Sequence, residues 1–219
     1  FLAMIVGNGE SGIISSGAQK LYPESEDIEP VAAHLLWESS RGLISDVELK
    51  YGYVRFKLPD SSMRGNAVIA VYDNDGKILW SWHIWIAERP SEQSFSIGEH
   101  TITILDRNLG ATAAVCSNAD EALATYGLYY QWGRKDPFMG YCATSGTTFA
   151  ASTGAWDTVS GSKSITYVEE NPTTYVATSG SGTDWCTYSG NDFAFRWQES
   201  KKSLYDPCPV GYRVPDGDE

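Results

Sequence analysis

The fold is decided by the stretch Gly65-Asn-Ala-Val-Ile-Ala-Val-Tyr-Asp-Asn-Asp-Gly-Lys-Ile-Leu-Trp-Ser-Trp-His-Ile-Trp-Ile86. Two apolar, β-forming runs flank Asp73-Asn-Asp-Gly76, which predicts a β-hairpin because glycine accepts the positive φ of the turn. Since side chains alternate along a strand, one face of the second arm carries bulky apolar groups at Ile78, Trp80, Trp82, Ile84 and Ile86. A buried tryptophan hides roughly 150–250 Å² of surface. We therefore expect residues 78–86 to be interior scaffold, with Ser81 and His83 on the second, wet face.

Further strands are predicted before this hairpin. Leu35–Glu38 is apolar, and Tyr51–Leu58 alternates apolar with charged positions. With the hairpin they predict an antiparallel, β-sandwich-like region over residues 1–90. The polar connector Glu88–Ser94 contains a proline, and we place an organisational boundary there.

A second region is expected over residues 95–219. Thr101–Asp106 alternates like a strand, and Asn118–Glu121 has the spacing of a helix capping box. Gly127 is suited to end the short helix that follows. For Leu128–Trp132 we favour a second short helix over a strand.

The composition predicts a mainly β (α+β) fold with long loops. The 219 residues include 13 Tyr, 8 Trp, 7 Phe and 21 Gly, and the formal net charge is −12. Such acidity argues against nucleic-acid binding, which relies on clustered Lys and Arg. No apolar run is long enough to predict a transmembrane segment. The chain begins and stops without bounding elements, so we interpret both ends as cuts within a longer protein.

The titratable and sulfur-containing side chains do not predict a catalytic or metal site. Cys116, Cys142, Cys186 and Cys208 form no C-x-x-C pair, and sequence leaves two disulfides and buried free thiols equally open. Each of the histidines, His83 included, stands alone, which favours structural roles. Asp73–Gly76 fits a plain turn far better than a calcium loop, because an EF-hand alignment places Val71 and Trp82 at ligand positions. No catalytic residue, metal ligand or cofactor is therefore predicted.

An aromatic run followed by charges forms the candidate ligand surface. Tyr129-Tyr-Gln-Trp132 leads directly into Gly133-Arg-Lys-Asp-Pro137, and residues 143–192 are rich in Ser, Thr and Gly with scattered aromatics. Aromatic faces can stack on sugar C–H surfaces while Arg and Asp side chains hydrogen-bond hydroxyl groups. The alternative is internal, with Arg134 or Asp106 fixing a loop through hydrogen bonds to the backbone. The candidate ligand-binding residues are Tyr129, Trp132, Arg134, Asp136, Trp156 and Trp185.

Three ordered motifs carry a resemblance to a known family. They are Leu105-Asp-Arg-Asn-Leu-Gly-Ala-Thr112, Gly127-Leu-Tyr-Tyr-Gln-Trp-Gly-Arg-Lys-Asp-Pro-Phe138 and Tyr205-Asp-Pro-Cys-Pro-Val-Gly-Tyr-Arg-Val-Pro215. Together they resemble the FISUMP (major paralogous) domain of fimbrillin-like surface proteins from Bacteroides-type gut bacteria. The hairpin is similar to the segment that precedes this domain, so the resemblance covers roughly residues 30–215.

The resemblance implies an exported, often lipid-anchored protein at the bacterial outer surface, associated with adhesion or pilus-like assemblies. It also implies a C-type-lectin-like fold with few short helices for residues 95–219, truncated at its C-terminus because the chain stops at Glu219. Formylglycine-generating enzymes share that fold but need two active-site cysteines close in sequence, a pair that is lacking here.

The sequence and the resemblance together lead us to expect a non-catalytic cell-surface module, an adhesin or a pilus-associated protein. Its partner would be a host glycan or a surface protein. The alternatives are a structural fimbrial subunit that binds sister subunits by strand exchange, and a carbohydrate-processing enzyme with two carboxylates facing each other across a cleft.

Overall fold

A computed structural model describes residues 28–118, 121–139, 143–144, 147–148, 156–179, 184–187, 196–197 and 202–215. As predicted, the fold is mainly β, with several small sheets and two short helices in the described parts. The central sheet holds β1 (Ala32–Glu38), β4 (Gly65–Tyr72) and β5 (Ile78–Ile86) in the order β1-β4-β5, all antiparallel.

Small strand pairs surround this sheet. The antiparallel pairs are β2 (Ser45–Lys50) with β3 (Tyr53–Lys57), β6 (Glu92–Ile97) with β7 (His100–Leu105), β8 (Leu128–Tyr129) with β9 (Phe138–Met139), and β10 (Ala143–Thr144) with β11 (Thr147–Thr148). The parallel pair is β12 (Thr158–Ser160) with β13 (Tyr175–Ala177), joined through helix α2 (Ile165–Glu170). Such a crossover is needed because parallel strands cannot be joined by a tight turn. Helix α1 spans Leu123–Tyr126.

The predicted hairpin is confirmed, and its turn explains the acidic residues at its tip. Oδ1 of Asp73 accepts hydrogen bonds from the backbone N–H groups of Asp75 and Lys77, both at 2.9 Å. Gly76 has a φ of +78°, the left-handed conformation that glycine adopts without a Cβ penalty. The Asp73 carboxylate therefore closes the turn as the plain-turn interpretation requires.

One face of β5 lies on the hydrophobic core, as expected. Trp80 is 1 % exposed, and Trp82, Ile84 and Ile86 pack partly buried against the same core. The predicted alternation fails only at Ile78. A bulge opposite Tyr72 adds one residue to β5, so that Leu79 packs against the core.

The core joins residues from both predicted regions. Trp80 belongs to one buried cluster with Val168 of α2, Val176 of β13, Trp185 and Tyr205. On the N-terminal side, β2 and β3 contribute Val47, Leu49, Val54 and Phe56. The division into regions 1–90 and 95–219 stays a prediction, and the cluster shows that apolar contacts cross it.

The second face of β5 is more covered than expected, and the expectation of a wet face is corrected at Ser81. Ser81 is buried, His83 bonds to the Asn66 side chain through Nε2 at 2.9 Å, and the Trp85 indole N–H donates to the carbonyl of Ala111 at 3.1 Å. The chain after β7 covers this face, which period-2 alternation alone does not reveal. Burial lowers the pKa of His83 to about 4, so its ring is neutral at pH 7 and serves as a structural imidazole.

The predictions for the segment around α1 are confirmed in part. The Asn118 side chain accepts the Glu121 N–H at 3.0 Å as expected, whereas the Glu121 carboxylate reaches back to the N–H of Ser117 at 2.9 Å. Gly127 follows α1 with a φ of +75°. The predicted helix over 128–132 is wrong: Leu128–Tyr129 is strand β8, which pairs with β9, and the Leu128 N–H donates to the carbonyl of Leu109 at 2.9 Å.

Glu169 on α2 gives the protein a pH-dependent stability. Its carboxyl group is buried and accepts a hydrogen bond from the Tyr205 hydroxyl at 3.0 Å, and burial raises its pKa to about 8 from an ordinary value of 4.5. The folded protein therefore retains a proton that the unfolded chain loses. The stability contributed by this group is complete below about pH 4.5 and is lost as the pH rises through about 8.

We expect Glu169→Gln to gain stability relative to the native protein as the pH rises, because glutamine stays neutral. Urea unfolding of both proteins at about pH 5 and about pH 8 measures the change. Asp46→Asn is the control: Asp46 pairs with Lys57 at 2.8 Å on the surface, and its loss should cost a similar small amount at both pH values. An equal effect of Glu169→Gln at both pH values would contradict this account.

Candidate functional site

The structure brings four of the six predicted site residues to one cleft with a volume of about 840 Å³. These four are Tyr129, Trp132, Trp156 and Trp185. The remaining described lining residues are Tyr130, Gln131, Phe138, Tyr175, Val176, Thr178 and Asp184. We call this feature the aromatic cleft. Its volume lies within the roughly 300–1,000 Å³ range of small-molecule sites.

The side chain of Gln131 joins the two sides of the cleft. Its Nε2 donates to the carbonyl of Val176 at 2.9 Å, and its Oε1 accepts the Val176 N–H at 3.0 Å. The amide thereby replaces a neighbouring strand beside β13. Sequence reasoning missed Gln131, because a lone glutamine in an aromatic run carries no signal of long-range pairing.

Below the cleft, two arginines alternate with three aromatic rings. The Arg196 guanidinium carbon lies 5.0 Å from the ring centre of Trp132 and 4.7 Å from that of Trp185. The Arg134 guanidinium carbon lies 5.8 Å from the Trp185 ring and 4.9 Å from the Phe138 ring. We call the series Trp132, Arg196, Trp185, Arg134 and Phe138 the Arg–aromatic stack. Cation–π contacts of this kind contribute about 0.5–2 kcal/mol each.

Contrary to the prediction, Arg134 does not lie on the surface of the cleft. It is a structural arginine. It is 1 % exposed, and its Nη1 donates to the carbonyl of Thr174 at 2.8 Å and to Oε1 of Gln131 at 2.9 Å. Its Nη2 donates to the carbonyl of Pro172 at 3.2 Å. Burial lowers its pKa to about 10, which leaves it charged at neutral pH. This is the internal role that the sequence also allowed, since a loop carbonyl cluster surrounds the guanidinium.

Asp136 likewise lies inside the protein and does not face a ligand. It is 3 % exposed, and its Oδ1 accepts hydrogen bonds from the Ser81 hydroxyl at 2.5 Å and from the Lys135 ammonium at 2.8 Å. The same ammonium lies 4.2 Å from the ring centre of Trp80. Asp136 and Lys135 therefore anchor the loop after β8 to strand β5.

The accessible rings of the cleft are those of Tyr129, Trp132 and Tyr175, which are 60 %, 45 % and 40 % exposed. Trp156 is half-buried, with its ring 5.7 Å from that of Phe138 in an edge-to-face arrangement. Trp185 is buried beneath them, and its indole N–H donates to the carbonyl of Trp132 at 2.6 Å. The rings that can touch a ligand thus stand on a layer that fixes their positions.

Asp184 supplies a carboxylate at the cleft that sequence reasoning also missed. Its Oδ2 accepts a hydrogen bond from Nη2 of Arg196, and its Oδ1 accepts the N–H of Cys186 at 3.1 Å. In the sequence it is an isolated acid within the Ser- and Gly-rich segment, so only its spatial neighbours mark it. The cleft can therefore stack on flat apolar faces of a ligand and accept hydrogen bonds at the Asp184 carboxylate.

The cysteines for which the structure gives a state are not arranged as a reactive site. Cys116 is an exposed free thiol, and Cys208 is a half-buried one whose pKa burial raises to about 12. Cys142 lies outside the described residues. A thiol that resists ionisation is a poor nucleophile.

Comparisons with known protein families, with curated proteins and with solved structures find no match to this chain. The FISUMP assignment therefore stays a prediction. In the described part of the chain, neither helix has the length and apolar character needed to cross a membrane.

Because Gly133 has no side chain, Arg196 can pack directly against its backbone in the Arg–aromatic stack. Gly133 has a φ of +77°, and a Cβ on it would lie 2.8 Å from Cβ of Arg196. We expect Gly133→Ala to destabilise the protein by about 1–3 kcal/mol more than Gly161→Ala does, because it adds overpacking to backbone strain. Gly161 is the matched control, with a φ of +75° and no atom within 4 Å of its Cβ position. Equal losses in urea unfolding would show that Arg196 is not packed against this glycine.

Proposed function

We propose that this protein is a non-catalytic module of the bacterial outer surface that binds a glycan through the aromatic cleft. It would act as an adhesin or as a pilus-associated protein outside the cell. The observation that carries the proposal is the gathering of Tyr129, Trp132, Trp156 and Tyr175 around one cleft. The extracellular location follows from the resemblance to fimbrillin-like proteins.

The chemistry of the cleft suits a sugar. A pyranose ring presents a flat C–H face that stacks on an aromatic ring, and its hydroxyl groups hydrogen-bond at the edges. Tyr and Trp also give large contact areas at low cost in side-chain entropy. The indole of Trp132 is already fixed by Arg196 below it and by the Trp197 ring 6.0 Å away. A surface that is ordered before binding loses less entropy when the ligand arrives.

No observation favours the carbohydrate-processing alternative. Glycoside hydrolysis commonly uses two carboxyl groups roughly 5–10 Å apart across the scissile bond. Among the described residues that line the aromatic cleft, Asp184 is the single carboxylate. A binding function requires no such pair.

Trp132→Ala tests the proposal on a glycan array followed by isothermal titration with the best ligand. We expect binding to weaken by about tenfold or more, as is typical when a central aromatic anchor is truncated. Tyr51→Ala is the control, since Tyr51 is an exposed ring, 81 % accessible, on the β2–β3 turn and does not line the cleft. It should bind as the native protein does.

Two results would overturn the proposed function. One is a folded native protein that binds no glycan on the array. The other is a Trp132→Ala variant that binds its glycan as tightly as the native protein while the Tyr51→Ala control behaves normally.

A further inference from the structure

The charge of the aromatic cleft is confined to one of its described side chains. Among the described lining residues, Asp184 is the only charged one. The amide of Gln131 already bonds to both backbone groups of Val176 and to Arg134. A ligand that stacks on the rings therefore meets a carboxylate as its charged neighbour.

A carboxylate at this position favours ligands that donate hydrogen bonds. An ionised Asp side chain is acceptor-only and offers about four lone-pair sites over its two oxygens. The bonds from Arg196 and from the Cys186 N–H use one site on each oxygen and hold the group in a fixed orientation. The remaining sites can accept hydroxyl or amine protons, whereas an acidic group on the ligand would place two carboxylates against each other.

Asp184 and Trp132 also lie within reach of one ligand. Both contact the same guanidinium: Arg196 donates to the carboxylate and lies 5.0 Å from the centre of the Trp132 ring. A sugar stacked on Trp132 can therefore direct hydroxyl groups of the same unit or the next unit to Asp184.

We propose that Asp184 is the specificity-determining residue of the aromatic cleft and that it selects uncharged, hydroxyl-bearing glycans over acidic glycans. This inference rests on the glycan-binding function proposed above. Asp184 was not among the predicted site residues. It would make the hydrogen bonds to ligand hydroxyl groups that were expected of Arg134 and Asp136.

The first experiment uses the native protein and needs no variant. Binding is measured on an array whose glycans are grouped as neutral and as bearing carboxylate or sulfate groups. We expect the neutral group to bind and the acidic group to bind at least about tenfold more weakly, a difference of about the size of one charge-assisted hydrogen bond. Equal or tighter binding of the acidic group overturns the inference and leaves the proposed function standing.

The second experiment replaces the carboxylate. Asp184→Asn should weaken binding of the best neutral glycan by about tenfold, because an amide offers fewer acceptor sites and a weaker hydrogen bond. Asp157→Asn is the matched control, since it removes an exposed carboxylate at the start of the β12 region without touching the lining of the cleft. It should bind as the native protein does.

The outcomes separate the two proposals. Unchanged affinity of a folded Asp184→Asn variant, with Trp132→Ala impaired, overturns the role of Asp184 alone. Absence of binding to every glycan by the native protein overturns the proposed function itself. If Asp184→Asn fails to fold, the selectivity of the native protein between neutral and acidic glycans still decides the inference.

Discussion

Two buried guanidinium groups hold together the loops that form the candidate site. Arg134 and Arg196 are almost fully removed from solvent, and a charge in that position is costly unless it is hydrogen-bonded or paired. Arg134 meets this requirement with carbonyl groups of the chain after α2, and Arg196 meets it with Asp184. Because both groups also stack between aromatic rings, they tie the segments around residues 132, 138 and 185 into one layer.

This layer is connected to the central sheet through a second, smaller cluster. Asp136 accepts hydrogen bonds from Ser81 of β5 and from Lys135, while the Lys135 ammonium stacks on Trp80. The loop between Trp132 and Phe138 is therefore held at one end by the stack and at the other by the strand that anchors the core. The rigid sheet thereby positions a loop that carries the exposed rings, which is how binding residues are commonly presented on β-rich scaffolds.

Much of the sheet could be predicted from sequence, because its signals are local. The turn at Asp73–Gly76 and the Trp alternation of β5 each depend on neighbours within a few residues. The covering of the second face of β5 by a later part of the chain could not be predicted in this way. Whether Ser81 and His83 meet water depends on a segment that lies some 50 residues away in the chain, as the 55-residue separation of Ser81 and Asp136 shows.

The candidate site was predicted only in part, because only some of its residues carry a local signal in the sequence. The aromatic run correctly indicated Tyr129 and Trp132 as exposed rings, and composition led to Trp156 and Trp185. The charged run after Trp132 suggested surface contacts, yet Arg134 and Asp136 turn inward because their partners come from β5 and from the loop before β13. Gln131 and Asp184 carry no local signal, since their importance arises only from the groups that the fold places beside them.

The central claim is that the exposed rings stand on a fixed layer, and the indole proton of Trp185 reports on it most directly. That N–H donates to the carbonyl of Trp132 at 2.6 Å beneath the cleft. Hydrogen exchange followed by NMR should show it protected to a degree comparable with the backbone amides of β4, so that it opens only with global unfolding. Exchange at the rate of a free indole, while the β4 amides remain protected, would show that the layer is not formed in solution and would contradict the account.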